Sequence, residues 1–488
     1  MRARLGAALT AAVLAAIGVA MIYPIDDLDV WWLLRSGAYM LQTRSFPTTD
    51  PFSGPAFGAP WVNHAWGFEL LLYAVYRLAG PTGLVLLQAL FAVATFGVLH
   101  ALLRREGVGR GFTLVAIAAG ALATRGFWAP RPQLVTYLAL AAFWAILRDY
   151  RDGRGDRLRW LPLMTVAWAN LHGGFMVGPG LIALALVGEV VDRVLGAAAP
   201  TPGAGRPGRL ALALGASLLA TLATPFHYHA VLFPFQVLGD RLAQAFIIEW
   251  ASPAFQYGAI RLVEGLVLLT LALAAWTPRR CRAADVLVLA AFFHFGLQAV
   301  RNLPLLVVVL LPILMAVLTE TLRERVPPLI AGSGVSPRRF GLAAAAVVLA
   351  FAVWWNFPAR GVRGALPRVG VAEVFPAEAV AYLKRARPPG PLFNDYGWGG
   401  YLIWQLYPDY RVSIDGRMAV HGPKRFAEHI EVAEVRPRWR ETLDRLGTRL
   451  AVVHARSPLA IVLRASPDWE VLHEDKVAIV LGKRGVRP

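Results

Sequence analysis

The chain has 488 residues, 57% of them hydrophobic and 16% charged, with a formal net charge of +18 and a mean hydropathy of +0.51. Apolar stretches of about 15 to 20 residues recur along it, the pattern of a polytopic membrane protein, which excludes a water-soluble enzyme. The positive charge does not point to nucleic acid, because no recognition motif accompanies it and most arginines fall in short loops between apolar spans; the single cysteine, Cys281, excludes an intramolecular disulfide and a cysteine-based metal site.

Arg2 and Arg4 precede an apolar run, Leu5 to Tyr23, that is longer than a signal-peptide core and has no small-x-small site before the polar segment after it. It reads as an uncleaved signal anchor. The first external loop, 25–82, opens with Asp26-Asp27-Leu28-Asp29-Val30-Trp31-Trp32, which puts carboxylates and indole rings at the membrane surface, where a lipid-borne substrate presents its head group. Farther along it come Asp50, Asn63, His64 and Glu69. Trp31 to Thr43 and Phe68 to Ala79 are amphipathic or too short to span, and are predicted to lie as helices along the interface.

Further spans are predicted at Gly83 to Leu102, Phe112 to Trp128, Pro132 to Leu147, Leu158 to Phe175, Met176 to Val191, Leu210 to Thr224, Ile260 to Trp276, Val286 to Val300, Leu303 to Leu318 and Phe340 to Trp355. With the first they make about eleven. A cytoplasmic N-terminus puts the arginine-rich loops Arg104 to Arg110, Arg148 to Arg159, Arg193 to Arg209, Arg279 to Arg282 and Arg323 to Arg339 inside, as the positive-inside rule requires. An odd number of spans then leaves the C-terminal region outside. The other set of loops gathers Arg125, Arg131, Asn170, His172, His227, Glu249 and Arg301 on the external side with the first loop. Ionisable groups at membrane depth are costly unless paired or lining a wet cavity, so Trp168-Ala-Asn170-Leu-His172-Gly-Gly and Ala299-Val-Arg301-Asn302 are functional candidates, the alternative being that they cap helix ends or pair structurally.

Composition divides the chain into a transmembrane domain, 1–356, and an extracytoplasmic α/β domain, 357–488. In the latter, Phe375 to Lys384 reads as a helix, Pro391 to Asn394, Arg411 to Ile414, Leu450 to His454 and Lys476 to Leu481 as strands, and the surroundings of Phe426 and Trp439 as helical. Asn394-Asp-Tyr-Gly-Trp-Gly-Gly-Tyr401 and Asp415-Gly-Arg417 read as loops whose glycines, Asn and Asp are turn formers before they are ligand binders. Neither a Walker motif nor a dinucleotide fingerprint is present, so nothing argues for a nucleotide donor.

Sugar transfer needs a carboxylate to take a proton from the acceptor and cations to neutralise a leaving phosphate, and aspartates with arginines at a lipid interface meet both needs. The layout, with an acidic first external loop just after the first span, many spans and a C-terminal external domain, resembles the GT-C superfamily of polytopic glycosyltransferases, including its protein mannosyltransferase and aminoarabinose transferase branches. Asp27-x-Asp29-x-Trp-Trp, Phe46-Pro-x-x-Asp50-Pro-Phe-Ser53, Pro60-Trp-Val-Asn-His64, Arg131-Pro-Gln, Asn170-Leu-His172-Gly-Gly and Gly399-Gly-Tyr-Leu-Ile-Trp404 look like a group of bacterial membrane proteins described as glycosyltransferase-like. That group implies an acidic residue beside His64, where this chain has Ala65.

The resemblance implies a bacterial inner-membrane enzyme that transfers a sugar from a polyprenyl-phosphate donor to a lipid, glycan or protein acceptor. Its catalytic carboxylate maps to Asp27 or Asp29; His64, Arg125, Arg131, Asn170, His172, Glu249 and Arg301 are the candidates for substrate binding. The spacing of the first-loop aspartates also suits a divalent cation held through oxygen. A transporter or flippase and a non-catalytic assembly protein for envelope glycans are the alternatives, the first disfavoured by the lack of an internal repeat.

Overall fold

A computed structural model describes residues 2–196, 206–239, 241–277, 281–324 and 370–485. The predicted span Phe340 to Trp355 and most of the loop Arg323 to Arg339 lie outside the described residues. The chain divides into two compact units: Met1–Tyr23 with Val85–His227 and Ile247–Val369, and Pro24–Leu84 with Tyr228–Phe246 and Gly370–Pro488. Residues 25–82 thus belong to the same unit as the C-terminal region.

The first unit is helical. Every predicted span up to Leu318 coincides with a helix, and four helices are both long and apolar enough to cross a membrane: Trp66–Arg105, Gly173–Val194, Gly258–Trp276 and Val300–Glu324. Arg4–Ala20, Pro207–Ala220 and Ala283–Gln298 are apolar but shorter. Gln133–Arg151 carries Arg148, Asp149 and Arg151 in its last turn, and Arg110–Thr124 and Trp160–Leu171 have only 15 and 12 residues.

The helix Leu303–Glu324 is the centre of this unit, packing against Arg110–Thr124, Gln133–Arg151, Gly258–Trp276 and Ala283–Gln298. Its residues from Val307 to Met315 are all buried. Small residues set the closest approaches. A Cβ at Gly120 would lie 2.7 Å from Leu311, and one at Gly188 would lie 2.3 Å from the Ala284 Cα. Packing of this kind joins apolar helices where burial from water supplies little drive.

Alternate helix ends gather into two polar groups. At one end Arg148 is bound by Glu106 and, at 2.9 Å, by Asp285, while Arg151 reaches Asp285 at 2.7 Å. Arg154 meets Asp149 at 2.9 Å and Asp152 at 2.6 Å, and Arg282 meets Asp152 at 2.6 Å. The sequence reading treated these arginines as topology signals, yet the Arg148 side chain is 3% exposed and fully partnered by acids. A buried guanidinium must be neutralised, and the loops supply the carboxylates.

In the second unit the helix Val30–Thr43 follows the acidic segment, close to its predicted start. Trp66–Arg105 begins here and is broken at Gly80, whose φ of 57° and ψ of −152° end its first segment before Pro81. The C-terminal sheet has the order β1-β2-β4-β3, with β1 (Leu392–Asn394) parallel to β2 (Leu450–His454), and β3 (Trp469–Glu474) and β4 (Ala478–Lys483) antiparallel. Phe393, Ala451, Val453, Ile479 and Leu481 face a core closed by Leu443, Leu459 and Leu463.

Arg411 to Ile414, predicted as a strand, joins no sheet. Its Val412 instead pairs with the first loop, accepting from Gly54 N–H at 2.9 Å and donating to the Phe52 carbonyl at 3.3 Å. Strand β3 escaped the sequence reading because charged residues and a bulge between Val471 and His473 interrupt its alternation.

Replacing Arg148 with Ala strands Glu106 and Asp285 and is expected to lower stability by about 3–5 kcal/mol. Arg157→Ala, which removes an exposed guanidinium 3.9 Å from Asp149, should cost under about 1 kcal/mol. Unfolding of the purified chain in detergent, followed by tryptophan fluorescence, separates the two; equal losses would mean that the buried network carries no stability.

Candidate active site

The acidic segment lies in the second unit, and its two leading aspartates have different surroundings. Asp27 Oδ1 accepts the backbone N–H groups of Asp29 at 3.0 Å and Val30 at 3.3 Å, satisfying donors that the start of the helix leaves open. Asp29 Oδ1 accepts the indole Nε1–H of Trp32 at 2.9 Å, one turn along the same helix. That bond orients the carboxylate. Trp31, on the opposite side, is buried edge-on against Phe375 and Tyr401, with ring centroids 5.4 and 5.2 Å away.

The glycines of the C-terminal segment close on these residues. A Cβ at Gly416 would stand 1.9 Å from Asp29 Oδ1, one at Gly400 would stand 2.5 Å from the Leu28 carbonyl oxygen, and one at Gly399 would stand 2.1 Å from the Ile414 carbonyl oxygen. At Gly399 and Gly400 the clash is with backbone and excludes a side chain, while at Gly416 a Cβ would displace the Asp29 carboxylate. The stretch read from sequence as a loop, Asn394 to Tyr401, is in part the beginning of the helix Gly399–Leu406, and its glycines serve close packing rather than a turn.

Behind Gly416 lies a buried charge cluster. Arg417 donates to both Asp415 oxygens at 2.8 and 2.7 Å and to Asp50 Oδ1 at 2.8 Å, with its guanidinium beside the rings of Phe52 and Trp61 at 5.1 and 4.8 Å. His421 Nε2 is 3.0 Å from Asp415 Oδ2. Burial alone would push the Asp415 carboxyl up, but Arg417 and His421 hold it well below the usual carboxylate range. His429, stacked on Phe393 at 5.1 Å, is pulled down to about 3 by burial and by His421, and is a neutral core residue.

Glu69 is also enclosed. It takes bonds from the Ser36 hydroxyl at 2.5 Å and the Asn63 amide at 2.7 Å, which clasp three parts of the first loop together. The His64 ring stacks on Phe233 at 4.2 Å.

The remaining sequence candidates lie in the first unit, at the helix ends opposite the Arg148 cluster. Glu249 binds Arg131 at 2.5 Å and lies 3.8 Å from Arg301, whose guanidinium also covers the Trp250 ring at 4.7 Å. Burial opposes ionisation of the Glu249 carboxyl, yet the two arginines hold it below its ordinary value. Two guanidiniums thus flank one carboxylate. Arg125 donates to the Ala20 carbonyl at 2.8 Å and covers the Tyr23 ring. The Asn170 amide bridges the carbonyls of Val166 and Ala223, both at 2.8 Å.

His172 terminates its helix inside a chain of hydrogen bonds that the sequence did not suggest. Trp168 Nε1–H donates to the Thr136 hydroxyl at 2.8 Å, and that hydroxyl lies 2.6 Å from His172 Nδ1, which also accepts Gly174 N–H at 3.2 Å. Because Nδ1 accepts, the proton of the neutral ring is assigned to Nε2. Of the sequence candidates, Arg131, Glu249 and Arg301 therefore come together, whereas Arg125 bonds the Ala20 carbonyl and Asn170 and His172 both fasten the C-terminal end of Trp160–Leu171. Among the described residues, the one group of three convergent metal-ligating side chains is Glu378, His473 and Asp475, away from the first-loop aspartates expected to hold a cation.

No family model and no curated protein sequence matches the chain. Solved structures do. The oligosaccharyltransferase AglB from Archaeoglobus fulgidus, in a complex with an inhibitory peptide and a dolichol-phosphate, superposes with a TM-score of 0.60 at 11% identity over 91% of this chain and 69% of its own. ArnT from Cupriavidus metallidurans, bound to undecaprenyl phosphate, gives 0.55 at 15% over 100% of this chain and 99% of its own. The arabinofuranosyltransferase AftD from Mycobacteria gives 0.53 at 16% over 99% of this chain but 40% of its own.

The depressed Asp415 carboxyl makes the second unit acid-sensitive in a defined direction. Its contribution is complete above the ordinary aspartate value of about 4 and is lost as the pH falls below that. Asp415→Asn is expected to destabilise the chain at neutral pH and to flatten the fall in melting temperature between about pH 5 and pH 3. An unchanged slope in that variant would assign the acid sensitivity to other groups.

Proposed function

We propose that this chain, whose fold is that of the GT-C glycosyltransferases, transfers a sugar from a polyprenyl-phosphate-linked donor to an acceptor on the extracytoplasmic face of a bacterial plasma membrane. The single observation that carries the reading is the Asp29 carboxylate, set just after the first apolar helix, held by Trp32 and enclosed by Gly416. Support for a lipid-phosphate donor comes from the fold neighbours, two of which were solved with dolichol-phosphate or undecaprenyl phosphate.

In this reading Asp29 is the base. The acceptor hydroxyl or amine attacks the anomeric carbon, its proton passes to Asp29, and the bond from that carbon to the phosphate oxygen breaks. The lipid phosphate leaves with the bonding electrons. Its charge needs a cation, and Arg131 and Arg301, the two guanidiniums beside Glu249, are the groups proposed for donor binding. Asp27 is assigned the helix start, since its Oδ1 already collects two backbone donors.

These roles predict a split among neighbouring substitutions, assayed by transfer from a panel of polyprenyl-phosphate sugars with purified protein in lipid. Asp29→Asn should lower kcat by about 100-fold or more while leaving donor KM nearly unchanged. Trp32→Phe, which removes one hydrogen bond to a charged group, should lower kcat by about 10- to 100-fold. Asp27→Ser keeps a competent helix cap and should stay within a few-fold of the parent. Arg301→Ala should instead weaken donor binding. Full activity in Asp29→Asn would overturn the assignment, and donor binding with no transfer under any condition would favour a transporter.

Orientation has a native reporter. Cys281 is exposed and adjoins Arg282 in the Arg148 cluster, which the reading places in the cytoplasm. An impermeant maleimide should fail to label it in intact cells and label it after permeabilisation, while Lys424→Cys in a Cys281→Ser background should be labelled directly. The reverse pattern would invert the topology.

A further inference from the structure

We propose that Glu378, His473 and Asp475 form a binding site for a divalent transition metal of the zinc type on the C-terminal α/β domain. Glu378 lies in the first turn of the helix Ala377–Ala386, His473 on β3, and Asp475 in the turn between β3 and β4. One ligand atom from each falls within 4.8 Å of the others. The site draws on no residue assigned to sugar transfer.

Three observations are compatible with a bound cation. First, His473 Nε2 and Asp475 Oδ2 are 3.3 Å apart, a separation that an ion pair and a shared metal both allow. Two ligand atoms at about 2.0–2.1 Å from a tetrahedral zinc stand at nearly that separation.

Second, two of the three ligands, Asp475 and His473, are held by their surroundings. Asp475 Oδ1 accepts the N–H groups of Val477 at 2.7 Å and Ala478 at 2.8 Å, which fixes the carboxylate with Oδ2 directed at the imidazole. The Tyr382 ring lies nearly parallel to His473 at 5.4 Å, and Tyr382 follows Glu378 by four residues, on the same helix face. Outer contacts of this kind orient metal ligands.

Third, charge favours occupancy. Two carboxylates converge on one imidazole, which even when protonated offsets only one of them, whereas a divalent ion neutralises both. The donor set of one nitrogen and two oxygens suits Zn2+, Co2+ or Mn2+, and disfavours Ca2+ and Mg2+, which prefer oxygen alone. A metal here would tie the first helix of the domain to the β3–β4 hairpin.

The test uses the full chain in lipid nanodiscs, stripped with chelator and titrated with Zn2+, with bound metal counted by mass spectrometry and unfolding followed in parallel. The expected result is one zinc equivalent that disappears in His473→Asn and weakens by about tenfold or more in Glu378→Gln, with a zinc-dependent rise in melting temperature lost in both. Asp29→Asn should retain that equivalent, so failure of the transferase reading leaves the site standing. Glu378 is exposed, so Glu378→Gln tests the site even where the histidine variant folds poorly. Equal zinc stoichiometry and affinity in parent and both variants, or no binding by the parent at about 0.1 mM Zn2+, would overturn the proposal.

Discussion

An arginine never gives up its proton inside a protein, so enclosing one commits the fold to supplying anions around it. In the second unit that arginine is Arg417, and its anions come from positions 50 and 415. Asp50 is itself fixed by the N–H groups of Phe52 and Ser53 at 3.0 and 3.2 Å, so the bend of the first loop and the charge of the C-terminal loop require each other. Gly416, next to Arg417 in the chain, lies against Asp29. Substituting one member of the cluster leaves the others charged, buried and short of a partner.

The two units handle charge in different ways. Around Arg148 every described guanidinium has a carboxylate from a neighbouring helix end, and that network reads as a fastening. Around Glu249 the balance is reversed, with two guanidiniums to one carboxylate and an indole face taking part of the second.

Much of the first unit was legible in the sequence, because an apolar helix in a membrane protein declares itself by length and composition, as Leu303–Glu324 and Gly258–Trp276 do. Counting crossings put Arg131, Glu249 and Arg301 in one set with Arg125, Asn170, His172 and His227 but did not single the three out. What stayed hidden was pairing across long separations. Nothing in Arg411 to Ile414 says that its partner is Phe52 to Gly54 rather than a sheet strand, and a glycine needed for close approach has the same one-letter signature as a glycine in a turn. The hydrogen-bond chain through Trp168, Thr136 and His172 was invisible for a similar reason: Thr136 sits in an apolar helix, and its hydroxyl gains meaning only from its neighbours. Trp32 carried a weak signal, three residues after Asp29 on a predicted helix, and the motif recorded it without giving it a role.

The bond between Arg417 and Asp50 joins residues 367 positions apart, which places a clock on biosynthesis. At about 5–20 residues per second the ribosome needs about 20 to 70 s to travel from one to the other. Throughout that interval Asp50 has been made and its cation has not, so the acidic segment waits with an unfinished wall. A nascent chain halted before position 417 can carry most of its described apolar helices and still lack the Asp50–Arg417 contact.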